Sequence, residues 1–235
     1  MYWRERADAP GTLAVMWKNP HYNELADRDQ WLAIQKYLPG RRARVLDLGC
    51  GTGRLAARLA SCSARYLGFD LDSMVERARE RNPHLGNAFI EGTLNSFPYP
   101  DQKFDFVLSM ACIGNACLAE GLPTVLGNIA RTLAPGGRFL MIDALHRFPL
   151  LARHCRLSHA EVSNMAAACG LTLIAHAGLH FWPARLLLAR SQLCRFPRLT
   201  RLGYFLGEML LSLAPTMLSD YKILLFRRTV DAHTP

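Results

Sequence analysis

Asp47-Leu48-Gly49-Cys50-Gly51-Thr52-Gly53 is the stretch that decides the fold. It begins inside the apolar run Arg44–Leu48, which predicts a short buried strand, and a helical run follows it over residues 54–59. Glycines in such a strand-to-helix turn permit positive φ and allow a ligand to approach the backbone closely. Open α/β sheets bind ligands at this carboxyl edge of their strands. The stretch therefore predicts a ligand site.

A second carboxylate indicates the kind of ligand. Asp70 ends the next predicted strand, residues 66–70, and in dinucleotide-binding folds an acid at this place binds ribose hydroxyls. The glycine spacing is GxGxG rather than GxGxxG, and Asp47 precedes the first glycine by two residues. A carboxylate there would repel a pyrophosphate but suits a sulfonium or an ammonium. These two acids favour S-adenosyl-L-methionine over NAD, the alternative being a glycine turn without a ligand.

Strands and helices alternate along the rest of the chain. Further strands are predicted at residues 88–91, 104–110, 138–143, 171–175 and 221–227, and further helices at residues 24–37, 73–81, 122–133 and 158–169. Such alternation predicts an α/β fold with a mostly parallel, doubly wound sheet that helices cover on both faces.

Composition limits the class of protein. The 235 residues are 50% hydrophobic and 20% charged, and their 17 Gly and 13 Pro exclude a collagen-like or disordered chain. A net charge of +9 admits nucleic acid, an anionic membrane or an acidic small molecule as partner. The seven cysteines include no CxxC pair, which predicts free thiols in a reducing compartment. With neither a signal peptide nor a spanning helix predicted, we expect a cytoplasmic protein.

Several motifs resemble, in the right order, those of class I S-adenosylmethionine-dependent methyltransferases with a type 11-like domain. Residues 45–53 resemble the family's first motif and residues 68–74 its second-strand motif, while residues 97–101 with 104–109 and residues 133–139 resemble the approaches to its fourth and fifth strands. The resemblance covers about residues 40–175. It implies a Rossmann-like sheet of seven strands with the last one antiparallel, and an enzyme that leaves S-adenosyl-L-homocysteine as product.

The resemblance also implies which residues bind the cofactor. Asp47 would lie near the methionine end, Asp70 would bind both ribose hydroxyls, and Leu71 would pack on the adenine. Thr93 stands where the family often has an Asp on the adenine amino group, so Thr93 and the backbone near Leu94 would hold the adenine. The full predicted set is Asp47, Gly49, Cys50, Gly51, Gly53, Asp70, Leu71, Thr93, Leu94, Ser109 and Met110.

Three residues are candidates for catalysis. Alignment of the acceptor supplies much of the catalysis in methyl transfer, and a base is needed only when the acceptor carries a proton. His146, just after the fifth strand, is the predicted base, and its alternative is a loop histidine without a role. Asp143 either takes part in the site or serves to cap a helix or pair with an arginine. Tyr22 either closes the site or packs against the sheet. No metal site is predicted, because His176 and His180 lack a third ligand.

A helical insertion is expected before the last strand. The predicted organisation is an N-terminal cap at residues 1–40, a methyltransferase core at residues 41–176 and 220–230, and the insertion at residues 177–219. The insertion has leucines at helical spacing, and five arginines against one acid, Glu208. It is either a lid that packs on the domain or on a second copy in a homodimer, or an interfacial element that contacts an anionic membrane. Nucleic acid is not expected as a partner.

We therefore predict a methyltransferase that acts on a small-molecule or lipid-like acceptor, with oxygen favoured as the methylated atom. Two alternatives stay open. One is a peripheral enzyme at the inner face of the membrane that methylates a lipid or a lipid-linked glycan, and the other is a non-catalytic S-adenosylmethionine-binding protein.

Overall fold

The protein is built on one seven-stranded sheet. The computed structural model describes residue 9 and residues 11–95, 102–148, 151, 156–214 and 217–229. The strands, in chain order, are β1 Arg44–Leu48, β2 Arg65–Asp70, β3 Phe89–Glu91, β4 Phe104–Met110, β5 Leu133–Asp143, β6 Leu171–Phe181 and β7 Ser219–Arg228. The motif at residues 97–101 and most of the first ten residues of the predicted cap lie outside the described residues.

The strand order is β3-β2-β1-β4-β5-β7-β6. The first five strands pair in parallel, and β7 lies antiparallel between β5 and β6. The expected doubly wound, mostly parallel sheet with an antiparallel last strand is thus confirmed. Because β7 runs against the other strands, it begins at the edge where β1, β2, β4 and β5 end.

Helices cover both faces of the sheet. They are α1 Pro20–Gln35, α2 Ala56–Ser61, α3 Asp72–Arg81, α4 Ile113–Ala116, α5 Leu122–Thr132, α6 His159–Ala168, α7 Trp182–Leu188 and α8 Pro197–Leu211. One apolar cluster joins the sheet to α5 and α6, and a second joins the other side to α1, α2 and α3. The central β1 is buried over residues 45–48, as expected of a parallel strand covered on both sides.

The cap and the insertion pack against each other in a third apolar cluster. Tyr22 of α1, Leu188 of α7 and Tyr204 of α8 are its large members, and the rings of Tyr22 and Tyr204 meet edge to face at 5.4 Å. Gly207 permits this close packing, because a Cβ at that position would stand 2.8 Å from the Cβ of Ala184. The insertion therefore packs directly against the N-terminal cap.

A buried chain of hydrogen bonds reinforces this contact. The Tyr204 hydroxyl donates to Asp29 over 2.7 Å and lies 3.2 Å from Nδ1 of His180, while Gln30 meets Nε2 of His180 at 3.2 Å. Burial lowers the pKa of His180 to about 3, so the ring is neutral. Because the Gln30 carbonyl oxygen accepts from Arg54 over 2.9 Å, its amide donates to His180, whose Nδ1–H then donates to Tyr204. This chain connects α8 to Arg54, beside the glycine turn.

The insertion differs from its predicted form in two respects. β6 continues to Phe181, so the helical segment occupies residues 182–218 rather than 177–219. The leucines at helical spacing do not face the domain. The buried positions of α8 are Thr200, Tyr204, Gly207 and Leu211. The opposite side, which we call the apolar face of α8, consists of side chains that are 43% to 60% exposed: Leu199, Leu202, Phe205, Leu206, Met209 and Leu210.

No helix among the described residues is long and apolar enough to span a membrane.

Candidate active site

A cavity of about 1500 Å³ opens at the carboxyl edge of the sheet. The glycine turn and the ends of β2 and β4 form one part of its wall. Residues of the cap, including Trp17 and Gln30, and of the insertion, including Arg185 and Ala189, form another. Ordinary small-molecule sites have volumes of roughly 300 to 1,000 Å³. This cavity therefore has room for a second ligand beside a cofactor.

The glycines of the turn have two different roles. Gly49 and Gly51 line the cavity, and Gly49 adopts a φ of +82°. A Cβ on Gly49 would stand 2.3 Å from the Cβ of Cys112, so a larger residue would displace the segment after β4. Gly53 is not part of the described cavity wall. A Cβ there would stand 2.6 Å from Nδ2 of Asn82, so Gly53 serves the packing of the turn against α3.

The two carboxylates lie side by side in the cavity wall. Asp70 accepts the N–H of Gly51 and the N–H of Leu71, each over 2.7 Å, on its two different oxygens. Asp47 is 1% exposed and accepts from the Tyr66 hydroxyl over 3.2 Å. Burial raises the pKa of Asp70 and raises that of Asp47 to about 7. Their oxygens retain acceptor capacity for a ligand, and a cationic ligand would favour their ionised forms.

The structure brings most of the predicted cofactor residues together. Besides the two acids and Gly49 and Gly51, the cavity wall contains Cys50, Leu71, Thr93, Leu94 and Met110. Ser109 is not part of it. The side chain of Ser109 is fully buried, and its hydroxyl has no hydrogen-bond partner among the described residues. Successive side chains of a strand point to opposite faces, which accounts for Met110 lining the cavity while Ser109 is buried on the other side.

The three predicted catalytic side chains lie outside the cavity wall. His146 Nε2 donates to the carbonyl oxygen of Asp220 over 2.7 Å, and burial lowers the pKa of the imidazole. Tyr22 is packed between Trp17 and Tyr204. The catalytic roles of His146 and Tyr22 therefore stay predictions, and in this structure both side chains are engaged in other contacts.

Asp143 has a structural role instead. It is fully buried and accepts the N–H groups of Gly114, over 2.8 Å, and of Ala144, over 3.0 Å. Burial raises its pKa to about 6. A Cβ at Gly114 would stand 2.5 Å from Oδ1 of Asp143, so carboxylate and helix are in close contact. Asp143 thus binds the backbone of α4, which agrees with the capping alternative, and its catalytic role stays a prediction.

The cavity wall contains a different set of polar side chains, those of Arg185, Asp220 and Tyr221. Arg185 of α7 donates through Nε and Nη2 to the two oxygens of Asp220, over 2.8 Å each. Tyr221 follows Asp220 in β7, and its ring lies 6.0 Å from that of Trp17. All four residues line the cavity. In the sequence, these residues are visible only as an Asp-Tyr pair at the start of the last strand. The pair lines the cavity because antiparallel β7 starts at the carboxyl edge of the sheet.

Among the described residues, no group of three or more His, Cys, Asp and Glu side chains could hold a metal ion.

Comparison with known proteins identifies the domain. Residues 45–137, which contain the glycine turn and both carboxylates, match the model of a methyltransferase domain family. Residues 45–137 form a class I methyltransferase domain. Methyltransferase domains of this class use S-adenosylmethionine.

Two curated relatives share the methyltransferase domain. A fatty-acid O-methyltransferase of Mycolicibacterium smegmatis is 37% identical over 121 residues, which are 50% of this chain and 42% of that protein. A demethylmenaquinone methyltransferase of Tropheryma whipplei is 33% identical over 114 residues, which are 48% of this chain and 46% of that protein. The matches thus span less than half the length of these relatives.

A solved structure extends the likeness in fold beyond the matched domain. Phosphoethanolamine N-methyltransferase 1 of Haemonchus contortus, in complex with phosphoethanolamine and S-adenosylhomocysteine, has a TM-score of 0.68 at 16% identity. The superposition covers 100% of this chain and 49% of that one. At this identity the likeness concerns the fold alone.

The residues of the methyltransferase domain fit S-adenosylmethionine. Asp70 presents a carboxylate that its own backbone neighbours hold in place, as the binding of a ribose diol requires. Asp47 is a buried carboxylate, and no cation of the described residues lies within hydrogen-bonding distance of it. A ligand with a positive charge supplies that partner. Gly49 leaves the backbone of the turn open to the cavity.

Replacement of Asp70 by Ala tests the ribose contact. We expect the affinity for S-adenosylhomocysteine to fall roughly 10- to 100-fold, because hydrogen bonds to a charged group contribute about 1.5–3 kcal/mol. Isothermal titration calorimetry measures the affinity, and Glu76→Ala, an exposed acid on α3, is the matched control. Unchanged binding by the Asp70→Ala protein would assign the ribose to another carboxylate.

Replacement of Asp47 by Asn tests the cost of the buried charge. The pKa of Asp47 in the folded protein, about 7, lies above its ordinary value of 3.8. Between about pH 4 and about pH 7 the folded state therefore keeps the carboxyl proton that the unfolded state has lost. This contribution to stability is full below about pH 4 and is lost as the pH rises through about 7. The Asn side chain is neutral at every pH, so the variant should exceed the wild type in free energy of unfolding most clearly above about pH 7.

Urea unfolding of both proteins without ligand, at about pH 8 and about pH 5, measures this difference. We expect it to reach about 1–4 kcal/mol at the higher pH, since each tenfold change in proton affinity corresponds to about 1.4 kcal/mol, and to shrink at the lower pH. All other titrating groups are common to both proteins and cancel. A difference that is independent of pH would mean that Asp47 titrates normally.

Proposed function

We propose that the protein transfers the methyl group of S-adenosylmethionine to an oxygen atom of a small-molecule or lipid-like acceptor. The observation that carries the proposal is the size and lining of the cavity. The cavity is lined by Asp47, Asp70 and the glycine turn together with Trp17 and Arg185. A volume of about 1500 Å³ accommodates a cofactor and an acceptor side by side.

The chain's own residues have a limited chemical task in this reaction. The cofactor, when bound, supplies an electrophilic methyl group on a good leaving group. The protein then has to hold both ligands in line, which is the main source of catalysis in such a transfer, and exclude water from them. Asp70 and the glycine turn position the donor, and the cap and insertion enclose the acceptor. No histidine is present in the described cavity wall, which favours an acceptor oxygen that carries no proton.

One relative supports oxygen as the methylated atom, and both support a lipid-like acceptor. One of them is named as a methyltransferase of fatty acids and is an O-methyltransferase. The other is named for demethylmenaquinone. Transfer of these specificities to the present chain is part of the proposal, as is a cytoplasmic location. The non-catalytic alternative predicts cofactor binding without turnover.

Attachment to a membrane surface is a second candidate property, and the apolar face of α8 favours it. Soluble monomers rarely expose contiguous apolar patches above a few hundred Å². Here six large side chains on one helix are exposed, and Phe196, at 55%, and Leu213, at 79%, extend them at both ends. Four neighbouring arginines are exposed as well: Arg190, Arg195, Arg198 and Arg201.

The charge around this face suits anionic lipid. The acid of α8, Glu208, does not neutralise the arginines, because it accepts the backbone N–H of Phe181 over 3.2 Å on the inner side. Burial raises its pKa to about 7. Interfacial helices combine an apolar face with flanking cations in this manner. We propose that α8 lies on an anionic membrane and presents the cavity to a lipid-like acceptor, with a homodimer as the competing use of the same face.

Methyl transfer is tested with methyl-labelled S-adenosylmethionine and an extract of the host, followed by counting of label in lipid, small-molecule, protein and nucleic-acid fractions. We expect label in the lipid or small-molecule fraction as a base-labile ester or a stable ether, which mark methylation on oxygen. The Asp70→Ala protein is the control for dependence on the cofactor site. Cofactor binding with no label in any fraction would overturn the proposal in favour of the non-catalytic alternative.

Membrane attachment is tested by co-sedimentation with phosphatidylglycerol-containing and pure phosphatidylcholine vesicles. We expect binding to the anionic vesicles only, with loss on Met209→Glu, which places a charge on the apolar face without filling a packed site. Ile174→Glu, a 40% exposed position on edge strand β6, is the matched control and should retain binding. Light scattering after gel filtration tests whether the apolar face of α8 forms a homodimer instead. A dimer that Met209→Glu dissociates would overturn the membrane proposal.

A further inference from the structure

We propose that Arg185 and Tyr221 form a subsite for the carboxylate of the acceptor. The inference rests on the proposed methyltransferase function and names the chemical class of its acceptor, a monocarboxylic acid with an apolar body. Four features of the cavity carry it: the pairing of Arg185, the free hydroxyl of Tyr221, the balance of charge in the cavity wall, and the absence of a histidine from the described part of that wall.

Arg185 is a rigid donor at the cavity wall. Its pair with Asp220 uses Nε and Nη2, and the side chains of the two residues are 17% and 2% exposed. Nη1 takes no part in this pair. A guanidinium held in this way by a carboxylate keeps one orientation, so little entropy is lost when a ligand accepts its remaining N–H groups.

Tyr221 is a second donor beside it. The ring is held edge-on by Trp17 at 6.0 Å and by His180 at 5.9 Å. Its hydroxyl forms no hydrogen bond with the described residues. Burial, together with the nearby Asp220 and Asp143, raises the pKa of the phenol. The hydroxyl therefore stays protonated at neutral pH and can donate to an acceptor oxygen, but it is not a base.

The balance of charge selects a carboxylate. Asp220 already neutralises Arg185, and Arg54 is likewise paired, with Asp27. The exposed Lys18 is the further cation in the described wall. A neutral pair with free donors suits a monoanion, whereas a phosphate dianion would face too little positive charge.

The chemistry agrees with the absence of a histidine from the described cavity wall. One carboxylate oxygen accepts from Arg185 and Tyr221, and the other supplies the electron pair for the new bond to the methyl carbon. The bond between sulfur and that carbon breaks, and its electrons stay on sulfur. The products are a methyl ester and a neutral thioether, and no proton moves. A hydroxyl acceptor would instead have to lose its proton to a base.

Octanoate, with 1-octanol as the uncharged analogue of the same chain length, serves as the probe. Each is titrated by calorimetry into protein saturated with S-adenosylhomocysteine. We expect octanoate to bind the wild type at least about tenfold more tightly than 1-octanol, as charged hydrogen bonds imply. Tyr221→Phe retains the ring and its packing, and it should weaken octanoate binding by about tenfold with no effect on 1-octanol. Arg185→Lys should act in the same direction.

Two controls and one further measurement keep the test decisive. Tyr37→Phe and Arg190→Lys make the same chemical changes at residues outside the described cavity wall and should leave octanoate binding unchanged. Affinity for S-adenosylhomocysteine should be the same in all variants, which shows that they are folded. Should Arg185→Lys lose that affinity because Asp220 is left poorly paired, Tyr221→Phe alone decides.

Equal binding of octanoate and 1-octanol, or octanoate binding that neither variant weakens, would overturn the carboxylate subsite. Both results are compatible with methyl transfer to an acceptor of another class, so the proposed function would survive them. A wild-type protein that fails to bind S-adenosylhomocysteine would overturn the proposed function itself. The two failures therefore have different signatures.

Discussion

The carboxylate of Asp70 joins the end of β2 to the glycine turn after β1, and the site is organised around this contact. Its two oxygens accept the N–H of Gly51 and the N–H of Leu71. The contact requires that β1 and β2 lie side by side in parallel, with Leu48 opposite Phe69. It also requires a turn without side chains that obstruct the approach. The same constraint that shapes the backbone thereby orients the carboxylate that is predicted to bind a ribose.

Burial of two acids in the cavity wall destabilises the folded protein when no ligand is bound. The raised pKa values of Asp47 and Asp70 both arise from burial. Arg54, whose charge interacts with Asp47, is already hydrogen-bonded to Asp27 and Gln30. A positively charged cofactor compensates for this loss of hydration. Selectivity for a sulfonium or ammonium over a dinucleotide pyrophosphate thus follows from the same burial that destabilises the protein without ligand.

The insertion illustrates how one helical segment can serve several surfaces. Tyr204 and Gly207 attach α8 to the cap and to α7, where packing is close enough to exclude a Cβ. Arg185, one helix earlier, reaches the cavity through its pair with Asp220. The apolar face of α8 then points away from the domain. A hydrogen-bonded chain through His180 and Gln30 connects these parts to Arg54 at the glycine turn.

The sequence by itself determined the sheet, the glycine turn and the cofactor acids, because these depend on local patterns: alternating strands and helices, glycines at fixed spacing, and acids at the ends of neighbouring strands. Direction and partnership of side chains depend on the packed structure. His146 and Asp143 follow β5 as expected, yet their side chains bind backbone groups. Tyr221 reaches the cavity because β7 is antiparallel. Only tertiary packing decided which side of α8 is buried, since small and polar residues allowed closer contact than its leucines.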